Sequence, residues 1–249
     1  MQENVLYHMD CLKGMAAIPD QSIDLIICDL PYGTTACSWD SIIPFDKLWE
    51  QYKRIRKPGT PVVLFGAEPF STVLRMSNLK EYRYDWYWEK NNCTGFTFAK
   101  YQPMRSMETI SVFYEGKSNY FPQGVQEKKT PIIQKRNKNT RESIYKEDLL
   151  SNKEYISQLT GYPNNILKFP KETKGVFHPT QKPTALLEYL IKTYTKESDL
   201  VLDNCMRSGT TAVAAINTDR KFIGFELDSD YYTQAVQRIK ENTTQLSLF

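Results

Sequence analysis

Two short stretches carry residue types that could do chemistry. D-L-P-Y-G, Asp29 to Gly33, follows the apolar run S-I-D-L-I-I-C. A carboxylate, a Leu30 carbonyl whose direction is set by Pro31, and the flat ring of Tyr32 would stand together at a strand end. That set suits an amino group on an aromatic base: one N–H to Asp29, one to the Leu30 carbonyl, the ring against Tyr32. By itself, D-x-P-Y fits an ordinary strand-to-turn exit as well. The second stretch is D-N-C-M-R-S-G-T-T, Asp203 to Thr211. An acid closes an apolar run, Ser208 is the expected N-cap, and Gly209, Thr210 and Thr211 open a helix. Glu226 ends the next apolar run roughly 20 residues on, where an acid commonly holds ribose hydroxyls of a nucleotide-type cofactor. The plainer reading is a turn and a surface glutamate. G-x-G-x-x-G and the full P-loop pattern G-x-x-x-x-G-K-[ST] are both absent, which argues against NAD and ATP.

These stretches need a frame, and the pattern around them supplies one. Buried strands are expected at 22–29 and 60–66, strands rich in aromatic and β-branched residues at 82–90 and 107–116, and further strands at D-L-V-L-D-N and K-F-I-G-F-E-L-D. Helices are expected at 45–59, where Phe45, Leu48, Trp49, Tyr52 and Ile55 share a face, at 68–78, and in the segments that alternate with the last strands. Strands alternating with helices predict a mostly parallel sheet covered on both faces, with ligands outside the carboxyl ends of its strands. Residues 117–177 break the pattern: they are polar and irregular, with four prolines, and read as an insertion. Trp49 and Trp86 read as core.

The chain has 249 residues, enough for one domain with an insertion. Its apolar and charged fractions, 41% and 24%, are those of a soluble globular protein. No apolar run is long enough for a membrane span, and the first residues lack the parts of a signal peptide, so the expected location is the cytoplasm. Five cysteines without a C-x-x-C pair and only two histidines argue against a metal site and for reduced thiols. Net charge is +3, but Tyr120 to Lys174 holds eleven lysines and arginines against six acids. A basic segment on a mildly acidic body points to a polyanion partner, with a solvated insertion as the alternative.

Taken together, these motifs resemble the β-class amino-methyltransferases of DNA, the family with a D-P-P-Y-type loop. D-L-I-I-C-D-L-P-Y-G resembles its catalytic motif, D-N-C-M-R-S-G-T-T its S-adenosylmethionine loop, and G-F-E-L-D-S-D-Y-Y its adenosine-binding strand and helix. H-P-T-Q-K-P, 178–183, resembles the linker into the cofactor half, and 9–26 the lead-in to the catalytic strand. The resemblance covers nearly the whole chain and implies a Rossmann-like α/β methyltransferase fold. Its seven-stranded sheet would have one antiparallel strand and a circularly permuted motif order. The implied division is a catalytic half at 1–116, a target-recognition insertion at 117–177 and a cofactor half at 178–249.

The implied activity is methyl transfer from S-adenosylmethionine to the exocyclic amine of a base flipped out of double-stranded DNA. An aspartate opening the loop favours N6 of adenine over N4 of cytosine. Asp29, Leu30, Pro31 and Tyr32 are the implied catalytic residues. Asp10, Asp29, Lys182, Asp203, Cys205, Arg207, Ser208, Gly209, Thr210 and Glu226 are the implied cofactor residues. Lys135, Arg136, Lys138 and Arg141 are the candidates for DNA contacts. Neither a metal nor a cysteine nucleophile is required. Homodimers are common in the class, and a paired restriction nuclease is compatible with it.

Three positions depart from the family pattern. Leu30 replaces a proline but keeps the carbonyl, and Cys205 replaces a phenylalanine. Arg207 stands where a glycine allows φ > 0 and close approach of cofactor; left-handed backbone would cost arginine roughly 1–2 kcal/mol. Weakened cofactor binding is the expectation. A degenerate methyltransferase that only binds DNA, or one acting on RNA, are the competing readings.

Overall fold

The computed structural model describes residues 1–33, 40–134, 155–173, 176–177 and 180–246. Its elements in chain order are β1 (Val5–His8), α1 (Cys11–Ala16), β2 (Leu25–Cys28), α2 (Phe45–Ile55), β3 (Val62–Gly66), α3 (Phe70–Ser77), β4 (Tyr82–Thr94) and β5 (Arg105–Phe113). There follow β6 (Gln126–Gln134), β7 (Tyr155–Thr160), β8 (Ile166–Lys168), α4 (Thr184–Tyr194), β9 (Leu200–Asp203), α5 (Thr210–Asn217), β10 (Lys221–Glu226) and α6 (Ser229–Leu246).

Eight strands form one sheet in the order β1-β10-β9-β2-β3-β5-β4-β8. β5 alone runs antiparallel to both neighbours. The sheet has one strand more than expected: β8, three residues long, pairs with β4 at the edge. Strand order reverses direction beside β2 and β9, so the ends of those strands face a shared crevice. The two acids of interest, Asp29 and Asp203, close these two adjacent strands.

The sheet is covered on both faces because its strands are apolar on both. Leu25, Ile27, Val63, Phe65 and Val201 join the core under Leu186, Leu187, Leu190 and Ile191 of α4 and the alanines of α5. Their neighbours Ile26, Cys28, Val62, Leu64 and Leu202 pack with Met15, Leu48, Tyr52, Ile55 and Leu74 on the other face. The period of two along each strand divides the residues between the two cores. Trp86 is buried in the first core, and Trp49 packs half-buried against the second.

The contacts divide the chain into two units, Pro122–Asn164 and the rest. The smaller unit contains an antiparallel pair, β6 with β7, where the sequence reads as irregular. Its polar strands lack the apolar alternation that would have revealed them. Among the described residues no helix is long and apolar enough to cross a membrane.

Candidate active site

Asp29 follows β2 directly and is 8% exposed. Its Oδ1 accepts from the Tyr32 hydroxyl at 2.6 Å. Its Oδ2 accepts from Lys182 Nζ and Arg207 Nη1, each at 2.7 Å. Burial works to raise its pKa, but the two cations outweigh burial and hold the carboxyl below its ordinary value. Tyr32 shifts the other way. Burial, and then the Asp29 charge, push its hydroxyl well up, so it is a proton donor to Asp29 and not a base. The backbone N–H groups of Tyr32 and Gly33 both donate to Asp40 Oδ1, at 2.8 and 2.9 Å, which fixes the turn after Pro31. The Tyr32 ring is half-buried, and Phe70 stacks on it at 4.7 Å between centroids. The flat ring at the strand end is therefore not an open face: α3 begins beside the loop, and Phe70 covers part of it.

Lys182 is buried, with its ammonium 5.2 Å from the centre of the Phe65 ring. It also stands 3.4 Å from Glu108 Oε2, and Glu108 accepts from Lys90 at 3.1 Å. Burial would raise the Glu108 carboxyl, but Lys182 and Lys90 together hold it low. Charges therefore alternate through the site: Lys90, Glu108, Lys182, Asp29, Arg207. Lys90 and Glu108 escape the sequence reading because they lie on β4 and β5, which read only as aromatic and β-branched strands. The available signal is a charged residue inside each buried strand, which requires a partner.

The loop after β9 is braced by its own acid. Asp203 accepts from the Cys205 N–H at 3.0 Å and from the Thr211 hydroxyl at 2.5 Å. Burial nevertheless raises its pKa to about 6. Ser208 is not the N-cap of α5, contrary to expectation. Gly209 takes that position with φ +73° and no side-chain cap, and the Ser208 hydroxyl instead pairs with Thr210 at 2.9 Å. A left-handed residue at the helix entrance suits glycine, and its missing side chain leaves room for Ala235 of α6.

Arg207 also has left-handed backbone, φ +48°. Its N–H donates to Glu226 Oε2 at 2.7 Å, which holds that conformation. Its side chain is turned inward and is 13% exposed. Nη1 donates to Asp29 and, at 2.6 Å, to Thr180; Nη2 donates to the Leu30 carbonyl at 3.0 Å. The loop after β9 is thus tied directly to the loop after β2.

Two cavities meet at this arginine. The larger, about 310 Å³, has Asp10, Asn204 and Glu226 among apolar walls that include Pro31, Ile43 and Phe225. Carboxylates and flat apolar surfaces suit a nucleoside. Asp10 caps α1 by accepting from the Lys13 N–H at 3.0 Å, and Glu226 accepts from the Asp228 N–H at 2.8 Å, so both acids are held in place. The smaller cavity, about 30 Å³, is lined by Asp29, Lys182, Asp203, Ser208 and Thr210 among others, and holds about two waters. Cys205 and Arg207 line both. Leu30, Tyr32 and Gly209 line neither. The nucleoside half of S-adenosylmethionine therefore fits the residues present, while the amino-acid half does not fit beside Arg207 as it is placed. Burial pushes the Cys28 thiol up to about 12, so it offers no thiolate at neutral pH. Lys135, Arg136, Lys138 and Arg141 lie outside the described residues.

The structure also exposes a surface that the sequence reading passed over. The turn between β4 and β5 presents Phe96 and Tyr101, 84% and 87% exposed, with Phe98 and Met104 beside them. Lys100 and Arg105 lie in the same stretch, and no acid falls between Asn91 and Met107. Gly66 at the end of β3 pairs with Thr109, so this turn extends past the same sheet edge as Asp29.

The profile of the DNA methylase family for N6 and N4 methyltransferases matches residues 23–237. Among characterised relatives, DNA adenine methyltransferase YhdJ of Escherichia coli is 26% identical over 96% of this chain and 83% of its own. Type II methyltransferase M2.DpnII of Streptococcus pneumoniae is 26% identical over 96% and 91%. Among solved structures, the M1.HpyAVI–SAM complex matches with a TM-score of 0.61 and 24% identity, covering 94% of this chain and 98% of that one. The cytosine-N4-specific PvuII DNA methyltransferase matches at 0.68 and 17%, covering 98% and 93%. Both share the fold.

Proposed function

The chain belongs to the DNA methylase family of S-adenosylmethionine-dependent methyltransferases, and on that footing we infer that it methylates N6 of adenine in duplex DNA. The observation that supports this reading most directly is the pair of acceptors at Asp29 and Leu30. Both accept from one planar nitrogen group, the Arg207 guanidinium. A base amine carries the same kind of donor. Held by an ionised carboxylate and a carbonyl, its lone pair is drawn out of conjugation and directed at an electrophilic methyl group. The gain is in positioning and electrostatics. Asp29 is held too acidic to serve as a strong base, so its work is to accept hydrogen bonds.

In this reading Asp10 and Glu226 hold the cofactor's ribose, and Asp203, Ser208 and Thr210 face its amino-acid half. The bound cofactor supplies the methyl group. Adenine is favoured because an aspartate opens the loop and because the relative YhdJ is named an adenine methyltransferase. The basic segment around Lys135–Arg141 and the aromatic turn at Phe96–Tyr101 are the surfaces assigned to DNA. Similarity to type II methyltransferases makes a paired restriction nuclease the natural partner to seek.

The test is incubation with labelled S-adenosylmethionine and genomic duplex DNA, followed by digestion to nucleosides. Label in N6-methyladenine is expected, and Asp29→Asn should lose transfer by about 10²-fold or more. Label in N4-methylcytosine alone would overturn the base assignment. The second reading, a DNA-binding protein without catalysis, is favoured by the position of Arg207; DNA binding with no transfer would establish it.

A further inference from the structure

Arg207 differs from a mere obstruction in the groups it chooses. Its guanidinium donates to Asp29 Oδ2 and to the Leu30 carbonyl, the two acceptors that the methyltransferase reading reserves for the target amine. It is also the wall between the two cavities, and the smaller one has room for about two waters. A nucleoside joined to an amino acid through a sulfonium must pass through the place where this side chain lies.

We propose that Arg207 is an internal stand-in for the target amine, and that it must be released before the cofactor's amino-acid half and the base are seated. The inference rests on the methyltransferase reading. Three features make the side chain a latch. First, its backbone is fixed, by the Glu226 carboxylate on its N–H and by the hydrogen bond from the Gly209 N–H to the Met206 carbonyl at 2.9 Å. Release is then a rotation of the side chain and leaves the loop in place. Second, Asp29 already serves two cations, Lys182 and Arg207. A sulfonium arriving beside the same carboxylate would make a third, so sulfonium and guanidinium exclude each other at short range. Third, the latch closes on the catalytic loop itself, holding Leu30 and Asp29 in one arrangement while no substrate is bound.

A latch of this kind scales the apparent affinity by the fraction of molecules in which it is open. Minor states of about 1–10% weaken binding roughly 10- to 100-fold. The effect must fall on the amino-acid half only, because the larger cavity is formed with the latch closed.

The experiment is calorimetric titration of the wild-type chain, Arg207→Gly and Arg207→Asn with two probes: S-adenosylhomocysteine, which carries both halves, and 5′-methylthioadenosine, which lacks the amino acid. Asparagine tolerates left-handed backbone but cannot reach Asp29, so it separates loop strain from the guanidinium. Both variants should bind S-adenosylhomocysteine at least about tenfold more tightly than wild type, with 5′-methylthioadenosine unchanged within about twofold. Equal binding of S-adenosylhomocysteine by all three proteins would overturn the latch. So would a gain for 5′-methylthioadenosine as large as that for the full molecule, since Arg207 would then act on the nucleoside cavity. Failure of every protein to bind either probe would instead remove the methyltransferase reading, and the latch with it.

Discussion

At the scale of residues, the site contains two buried aspartates that titrate in opposite directions. Asp29 has two cations as partners and is held low; its ionised form stabilises the fold above the ordinary carboxylate range, and that contribution is lost as pH falls through its lowered value. Asp203 is met by the Thr211 hydroxyl, the Cys205 N–H and the Cys28 thiol, and burial outweighs them, lifting it from 3.8 to about 6. Between about pH 4 and 6 the folded chain therefore holds this proton more firmly than the unfolded chain. Stability falls as pH rises through that window, and a penalty of roughly 3 kcal/mol persists above it. Asp203→Asn removes the charge while leaving an oxygen for the Cys205 N–H. Urea melts from pH 4.5 to 7.5 should show the variant without that decline, and more stable than wild type at pH 7. A wild-type slope that survives in the variant would assign it to another group. Asp29 and Tyr32 were legible from residue type and order, and Lys182 only through the family resemblance of H-P-T-Q-K-P. Their partners Glu108 and Lys90 were not, because what brings them to the site is the pairing of β4 with β5, a contact 18 residues apart in the chain.

At the scale of elements, a parallel sheet was legible because the strands are short, apolar and separated by helical periods. The weak points were elements without a period: β1 and β8, four and three residues long, and the polar pair β6 and β7. The turn between β4 and β5 belongs with these. Its aromatic residues belong to no extended apolar period, so only the structure shows that they are exposed and lie past the sheet edge at which Asp29 stands. Exposed aromatic rings beside Lys100 and Arg105 match the chemistry by which proteins stack on bases and hold phosphates, about 1–3 kcal/mol per stacked base. Replacing Phe96, Phe98 and Tyr101 together by alanine should weaken binding of duplex DNA by tenfold or more, measured by fluorescence anisotropy. S-adenosylhomocysteine binding, measured by calorimetry, should stay constant. DNA affinity equal to wild type would take this turn out of the interface.

At the scale of the whole molecule, the chain leaves the main unit after Phe121 and returns at Asn165. Both points are anchored to it: the Phe121 N–H donates to the Thr193 carbonyl at 2.7 Å, and the Asn165 carbonyl accepts from the Tyr87 N–H at 2.8 Å. All eight strands of the large sheet, and every residue that lines the two cavities, come from outside Pro122–Asn164. The entropy of closing a surface loop changes slowly with its length, so exchanging such a segment for a shorter flexible one costs the main unit little. Replacing residues 122–164 by a glycine–serine linker of about 12 residues should therefore preserve a single cooperative thermal transition and binding of 5′-methylthioadenosine. DNA affinity should fall, and its salt dependence should become shallower, because the lysines and arginines of the excised segment no longer displace counterions. Two outcomes would count against this division of labour. Loss of the cooperative transition would make the segment part of the fold. A full salt dependence without it would move the phosphate contacts onto the main unit.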